Sequence, residues 1–263
     1  MAESAHSFDD SHAYERFMGR WSRAVGSVFL EWLAPPSGAR WLEIGCGTGI
    51  FTELVVDACA PSALVAIDPA VPQIDHASRQ PVALRAEFRV ADSQALPFPD
   101  ASFDIVAAAL AINFIPDRLR ALLEMRRVVR ARGWVAGYVW DFTSELSPSW
   151  PMRAGLRRIG ADVPEVPGTE ASSRDALGSL FEQAGLAGIE TRSIDATAAF
   201  PDFDAFWQSQ SPSYSPIGKT IAALSEADRV RLVGAVRQAL PVCPGGVIEY
   251  SARANAIKAG VPV

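Results

Sequence analysis

The chain is short of the side chains that most enzymes use to move protons and hold metals. Its 263 residues contain three histidines and three cysteines. Cys46, Cys59 and Cys243 are odd in number and show no CxxC spacing, which argues against a disulfide framework and a thiolate zinc site. His6 and His12 lie near the start and His76 stands apart, so general bases are scarce and no metal is expected. A basic excess is also missing: 24 Lys and Arg against 30 Asp and Glu leave a net charge of −6, which offers phosphate backbones and anionic lipid surfaces no net attraction. Nucleic acid is therefore not an expected partner. The one arginine-rich stretch, Arg118 to Arg132, interleaves Leu119, Leu122, Leu123 and Val129 at helical spacing and reads as a solvated helix face. No apolar run approaches the length of a bilayer span, and the first twenty residues lack the apolar core of a signal peptide. The expectation is a cytoplasmic protein with no membrane partner. Internal repeats and low-complexity tracts are absent as well.

What is present is an ordinary globular composition, 49% apolar and 21% charged, and enough chain to bury a substantial core. Trp21, Val25, Val28, Phe29, Trp32 and Leu33 recur at helical spacing, placing an N-terminal helical region within 1–34 that Pro35, Pro36 and Gly38 end. From there short apolar runs alternate with helical patterns: Arg40 to Ile44, Ala63 to Ile67, Phe88 to Ala91, Phe103 to Ala109 and Trp134 to Trp140 read as strands. A mostly parallel sheet with helices on both faces follows from that rhythm, over a half spanning 35–141. After Asp141 proline and serine break the period, and 142–246 reads as a small helical cap with substrate-binding elements. Trp150, Trp207 and Tyr214 lie there, and aromatics on loops are candidate pocket walls. The closing segment 247–260 alternates Ile248, Tyr250, Ala252, Ala254 and Ala256 with polar residues, as an antiparallel strand near one edge would.

The chemistry centres on WLEIGCGTGIFT, Trp41 to Thr52. Glycines directly after a strand and before a helix permit a tight turn and let backbone amides approach a ligand. A dinucleotide fingerprint wants glycine or alanine where this chain has Ile50, and its third glycine comes early, at Gly49. Glu43 sets a carboxylate beside the loop, a neighbour that suits an ammonium better than a phosphate. Asp68 ends the second strand 19 residues after Gly49, where a carboxylate suits two ribose hydroxyls, and Asp92 with Ser93 follows the third, within reach of an exocyclic amine. Any one such acid is as readily a turn former.

EIGCGTG, the acid of AIDPA, ADSQALPFPDASFDIV and FIPDRLRALLEMRRVVRARGW stand in order over Arg40 to Asp141. Together they resemble the successive motifs of class I S-adenosylmethionine-dependent methyltransferases, in particular the methyltransferase type 11 group related to ubiquinone and menaquinone methyltransferases. YERFMGRWSR near the start is similar to small bacterial members. The resemblance implies a Rossmann-like α/β fold with seven strands, the last antiparallel. It implies that Gly45, Gly47 and Gly49 pass beneath the cofactor S-adenosyl-L-methionine with Glu43 near its ammonium. Asp68 would hold the ribose, Asp92 and Ser93 the adenine edge, and Pro69 the ring, while Tyr14, Arg20 and Trp21 would cover the methionine end.

Where relatives often carry a histidine pair this chain has Asn113 and Phe114, so no histidine base stands at that position. In-line methyl transfer can draw roughly 7–11 kcal/mol from orientation alone. Asn113 and Asp141, after the fourth and fifth strands, are the candidates for touching the acceptor. A small molecule, aromatic or apolar, is the expected acceptor, and pairing of two copies through an exposed cap helix is a further expectation. The competing readings are a protein that binds the cofactor without methylating and a nicotinamide-dependent oxidoreductase, which Ile50 disfavours.

Overall fold

The computed structural model describes residues 11–212, 215–241 and 243–262, with side-chain surroundings from residue 18 onward. In chain order the elements are α1 (Ser11–Leu33), β1 (Arg40–Ile44), α2 (Ile50–Cys59), β2 (Ala63–Asp68), α3 (Val71–Ala77), β3 (Glu87–Val90), β4 (Phe103–Ala109), α4 (Arg118–Val128) and β5 (Val129–Trp140). They continue with α5 (Trp150–Ile159), α6 (Arg174–Gln183), β6 (Ala187–Phe200), α7 (Phe203–Gln210), α8 (Pro216–Ala223), α9 (Glu226–Ala239) and β7 (Ile248–Gly260). Seven strands form one sheet in the order β3-β2-β1-β4-β5-β7-β6. The first five run parallel, and β7 lies antiparallel between β5 and β6.

Strand alternation divides the core in two. Trp41, Ile105, Ala107, Ala136, Tyr138 and Trp140 face α1 and α2, whereas Leu42, Ile44, Val106, Ala108, Val135 and Val139 face α4 and α6. Period-two side chains buried on both faces explain why these strands read as continuous apolar runs. On the first face Phe29 of α1 sits 4.9 Å from Tyr138 and 5.9 Å from Phe51, tying α1 to the sheet and to α2. Each such aromatic pair contributes about 0.5–1.5 kcal/mol beyond its buried area.

The segment 142–246 departs from the expected cap. It contains β6, a 14-residue edge strand paired along β7, as well as α5 to α9. The alternation that marks β6, Ile194, Ala196, Ala198 and Phe200 inward against Asp195 and Thr197, rests largely on alanines and is weak in the sequence. Helices α5 and α7 also fill stretches that read as irregular, because prolines at their ends mask their period. The helical part of the cap is held by α5 against α9, with Gly155 facing Val236 and Leu232. Ser172, fully buried, fixes the start of the cap to the sheet: its hydroxyl accepts from the Phe142 and Thr143 amides at 3.2 and 3.1 Å and donates to the Thr169 carbonyl at 2.7 Å. Asn255 of β7 donates to the Ser172 carbonyl at 2.9 Å.

Candidate cofactor site

The turn after β1 is built by its glycines. Gly45, Gly47 and Gly49 have φ of 70°, 53° and 89°, and the Gly45 and Cys46 amides both donate to the Ile67 carbonyl at 2.8 and 3.0 Å. A Cβ on Gly45 would lie 2.5 Å from the Ala111 Cβ, so the turn is pressed against the segment after β4. Gly49 closes the turn by donating to the Cys46 carbonyl at 2.9 Å and leads directly into α2. Asp68, at the end of β2, clasps the loop: Oδ2 accepts from the Gly47 amide at 3.0 Å and Oδ1 from the Ala70 amide at 2.9 Å. Each carboxylate oxygen keeps a further lone pair for a ligand hydroxyl. Burial pushes the Asp68 carboxyl above its usual range despite those two amides.

Glu43 points from β1 to the α2 face and is 1% exposed. Thr52, in the first turn of α2, donates its hydroxyl to Glu43 Oε2 at 2.6 Å. Burial raises this carboxyl to about 8, with the Thr52 bond opposing and the Asp68 charge adding to the rise. Burial likewise pushes the neighbouring Cys46 thiol up, so it is not a reactive thiolate. A cleft of about 340 Å3, part of it open to solvent, lies against the loop, with Ser22 of α1, Glu43, Gly47, Thr48, Leu110 and Tyr138 in its wall. Leu110, directly after β4, holds φ at 58°, a strained conformation for a branched side chain. The Thr48 hydroxyl is buried and has no hydrogen-bond partner among the described residues. A buried hydroxyl without a partner and a buried carboxyl facing no cation, both among the described residues, fit a polar, cationic ligand.

The turn after β3 lies beside this loop, since the Ala91 amide donates to the Asp68 carbonyl at 3.2 Å. There Asp92 is exposed and accepts from the Gln94 amide at 2.8 Å, Ser93 is buried, and Pro69 is exposed next to Asp68. Glu43, Gly45, Gly47, Gly49, Asp68, Pro69, Asp92 and Ser93 thus lie at or just beyond the carboxyl ends of three adjacent parallel strands.

Arg20, Trp21, Asn113 and Asp141 line no part of this cleft. Trp21 is fully buried in the core, its ring 5.1 Å from Tyr250 and 6.1 Å from Trp140, and it lines no part of the cleft. Arg20 donates to the Ala199 carbonyl on β6 and lies 4.5 Å above the Phe200 ring. The surroundings of Tyr14 lie outside the described residues. Asn113 is buried, and its amide donates to the Pro167 carbonyl at 3.2 Å, joining the turn after β4 to the cap. Asp141 is 5% exposed and its Oδ1 accepts from the Ser144 amide at 2.9 Å, shaping the turn that leaves β5. Conversely Ser22, Leu110 and Tyr138 join the cleft with no motif announcing them, Thr48 joins it from within the glycine motif, and Thr52 lies behind Glu43. Thr52 alone had a legible signal, because an acid on a buried strand face needs a donor from the helix that covers it.

A parallel nucleotide-type sheet with an antiparallel β7 inserted beside β6, and a glycine loop flanked by acids at three strand ends, defines a class I S-adenosylmethionine-dependent methyltransferase. Residues 42–137 match the methyltransferase domain family. It is similar to a demethylmenaquinone methyltransferase of Roseiflexus castenholzii, 29% identical over 63% of this chain and 75% of the relative. A 27-O-demethylrifamycin SV methyltransferase of Amycolatopsis mediterranei is 34% identical over 62% of this chain and 58% of the relative. Among solved structures, a phosphoethanolamine N-methyltransferase 2 of Haemonchus contortus, in complex with S-adenosylhomocysteine, shares the fold. Its TM-score is 0.58 at 16% identity, over 96% of this chain and 57% of the other. No described helix is long and apolar enough to cross a membrane.

Proposed function

We propose that this chain methylates a small apolar or aromatic molecule seated between α1, the ends of β4 and β5, and the cap. The observation that carries the reading is the cleft. It runs from the glycine loop to Leu110 and Tyr138, and Tyr138 belongs to the same core face as the aromatic group of Trp21, Trp140, Phe200, Phe206 and Tyr250. The two relatives above are named for demethylmenaquinone and for 27-O-demethylrifamycin SV, which supports a small-molecule acceptor. Three free thiols support a reducing, cytoplasmic setting.

In this reading Glu43 and the loop amides take the amino-acid end of S-adenosylmethionine, Asp68 the ribose hydroxyls, and Asp92, Ser93 and Pro69 the adenine. Bound there, the cofactor supplies an electrophilic methyl group. The protein's part is alignment and exclusion of water, which needs no general base. Asn113 and Asp141 act by holding the turns that carry the cap, since each already spends a side-chain bond on backbone.

A thermal-shift comparison tests the assignment. S-adenosylhomocysteine at about a hundred times its Kd should add roughly 2.7 kcal/mol of stability. NAD should add none, and stabilisation by NAD alone would overturn the reading. A panel of quinols and phenols with labelled cofactor then separates methylation from mere binding.

A further inference from the structure

The feature of the cleft that the motifs do not explain is the bond between Thr52 and Glu43. Thr52 is fully buried in the first turn of α2 and reaches back to β1, so that Glu43 Oε2 is occupied at 2.6 Å. Glu43 Oε1 takes no hydrogen bond among the described residues, and Glu43 forms part of the cleft wall. Among the described residues, the other groups around this carboxyl bring it no positive charge. Asp68 approaches from β2, Cys46 from the loop, the Tyr138 phenol from β5 and Ser22 from α1. Arg23 of α1 lies in the adjoining space and is bound to Glu53 of α2 at 2.5 Å.

We propose that Thr52 is a positioning residue for cofactor capture: it holds Glu43 so that the carboxyl gives up one proton for each ligand ammonium that enters. The inference rests on the placement of the cofactor's amino-acid end beside Glu43. The Glu43 O–H bond breaks, its proton passes to buffer, and the carboxylate left behind pairs with the ammonium. Nothing is oxidised or reduced. The geometry requires this exchange because a carboxyl buried without a cation holds its proton, and a cation beside it reverses the balance. The raised value of about 8 at Glu43 agrees with that state of the empty protein. The Thr52 bond opposes the rise, so removing it should deepen the proton's hold.

The experiment is calorimetric titration of S-adenosylhomocysteine in buffers of different ionisation enthalpy, between pH 6.5 and 8.5. Wild type should release close to one proton per ligand at pH 6.5, where the ligand's own amine is still charged, and Glu43→Gln should release none. Thr52→Val should bind about ninefold more weakly at pH 7 but only about threefold more weakly at pH 8.5, taking the lost bond as one pH unit. Thr52→Ser should restore both affinity and profile. A deficit in Thr52→Val that is equal at every pH would show a merely structural role and overturn the proposal. So would wild-type binding without proton release, which also decides the matter if Thr52→Val does not fold. Failure to bind S-adenosylhomocysteine at all is a different result and overturns the cofactor site itself.

Discussion

Replacing Gly45 by alanine should damage the loop through a contact that can be named in advance. The added Cβ would sit 2.5 Å from the Ala111 Cβ, whereas carbon atoms in contact prefer about 3.5–4.0 Å. The backbone there has φ of 70°, which costs an L-residue roughly 1–2 kcal/mol. Overpacking adds about 1–3 kcal/mol. The total of about 2–5 kcal/mol does not exceed the stability of a typical domain, so the protein should stay folded, with a melting temperature lower by roughly 4–20 °C. Gly47 provides the internal control. Its φ is 53° but a Cβ there meets nothing within 4 Å, so Gly47→Ala should cost only the conformational part. The double variant Gly45→Ala with Ala111→Gly should regain most of the difference, read as a coupling energy of about 1–3 kcal/mol in a thermal or denaturant melt. Equal losses at the two glycines, or no recovery in the double variant, would refute the claim that the turn is pressed against the end of β4. Titration with S-adenosylhomocysteine on the same variants would show whether the displaced turn also loses its ligand.

Three further outcomes follow from the same geometry. Between the ordinary carboxylate value of 4.5 and the folded value of about 8, Glu43 binds a proton in the native state that the unfolded chain has released, so stability of the ligand-free protein should fall as pH rises through that window. The upward shift of Asp68 acts in the same direction, and Glu43→Gln should flatten part of the slope in melts taken from pH 5 to 8. Asp68→Ala should weaken S-adenosylhomocysteine at least about tenfold while circular dichroism stays native, since a charged acceptor contributes about 1.5–3 kcal/mol per bond; unchanged affinity would remove Asp68 from the ribose site. Ser172→Ala strips the Phe142 and Thr143 amides of their shared acceptor and should cost about 1–3 kcal/mol, seen as a melting temperature a few degrees lower.

The local sequence specified what depends on backbone and on neighbours in the chain. The glycine spacing from Gly45 to Gly49, the acids at the ends of β1, β2 and β3, and the alternation of strand and helix up to Trp140 were legible there. Turns need particular residues, and buried parallel strands need unbroken apolar runs. The cap was harder. The alanines of β6 carry little period, and proline at the start of α5 and α8 looks like interruption although it is a favoured first-turn residue.

Tertiary structure alone decided which side chains share the cleft. Trp21 and Arg20 lie on a helix whose rotation about its axis sends one into the core and the other to β6, and no local rule sets that rotation. Thr52 meets Glu43 only because α2 returns across β1, and Leu110 and Tyr138 come from the end of β4 and from β5, far along the chain. The motifs therefore point to the cofactor, because the glycine loop and the acids beside it are short runs of neighbouring residues at strand ends. The rest of the cleft wall comes from α1, the end of β4 and β5, which lie far apart in the chain and meet only in the folded structure.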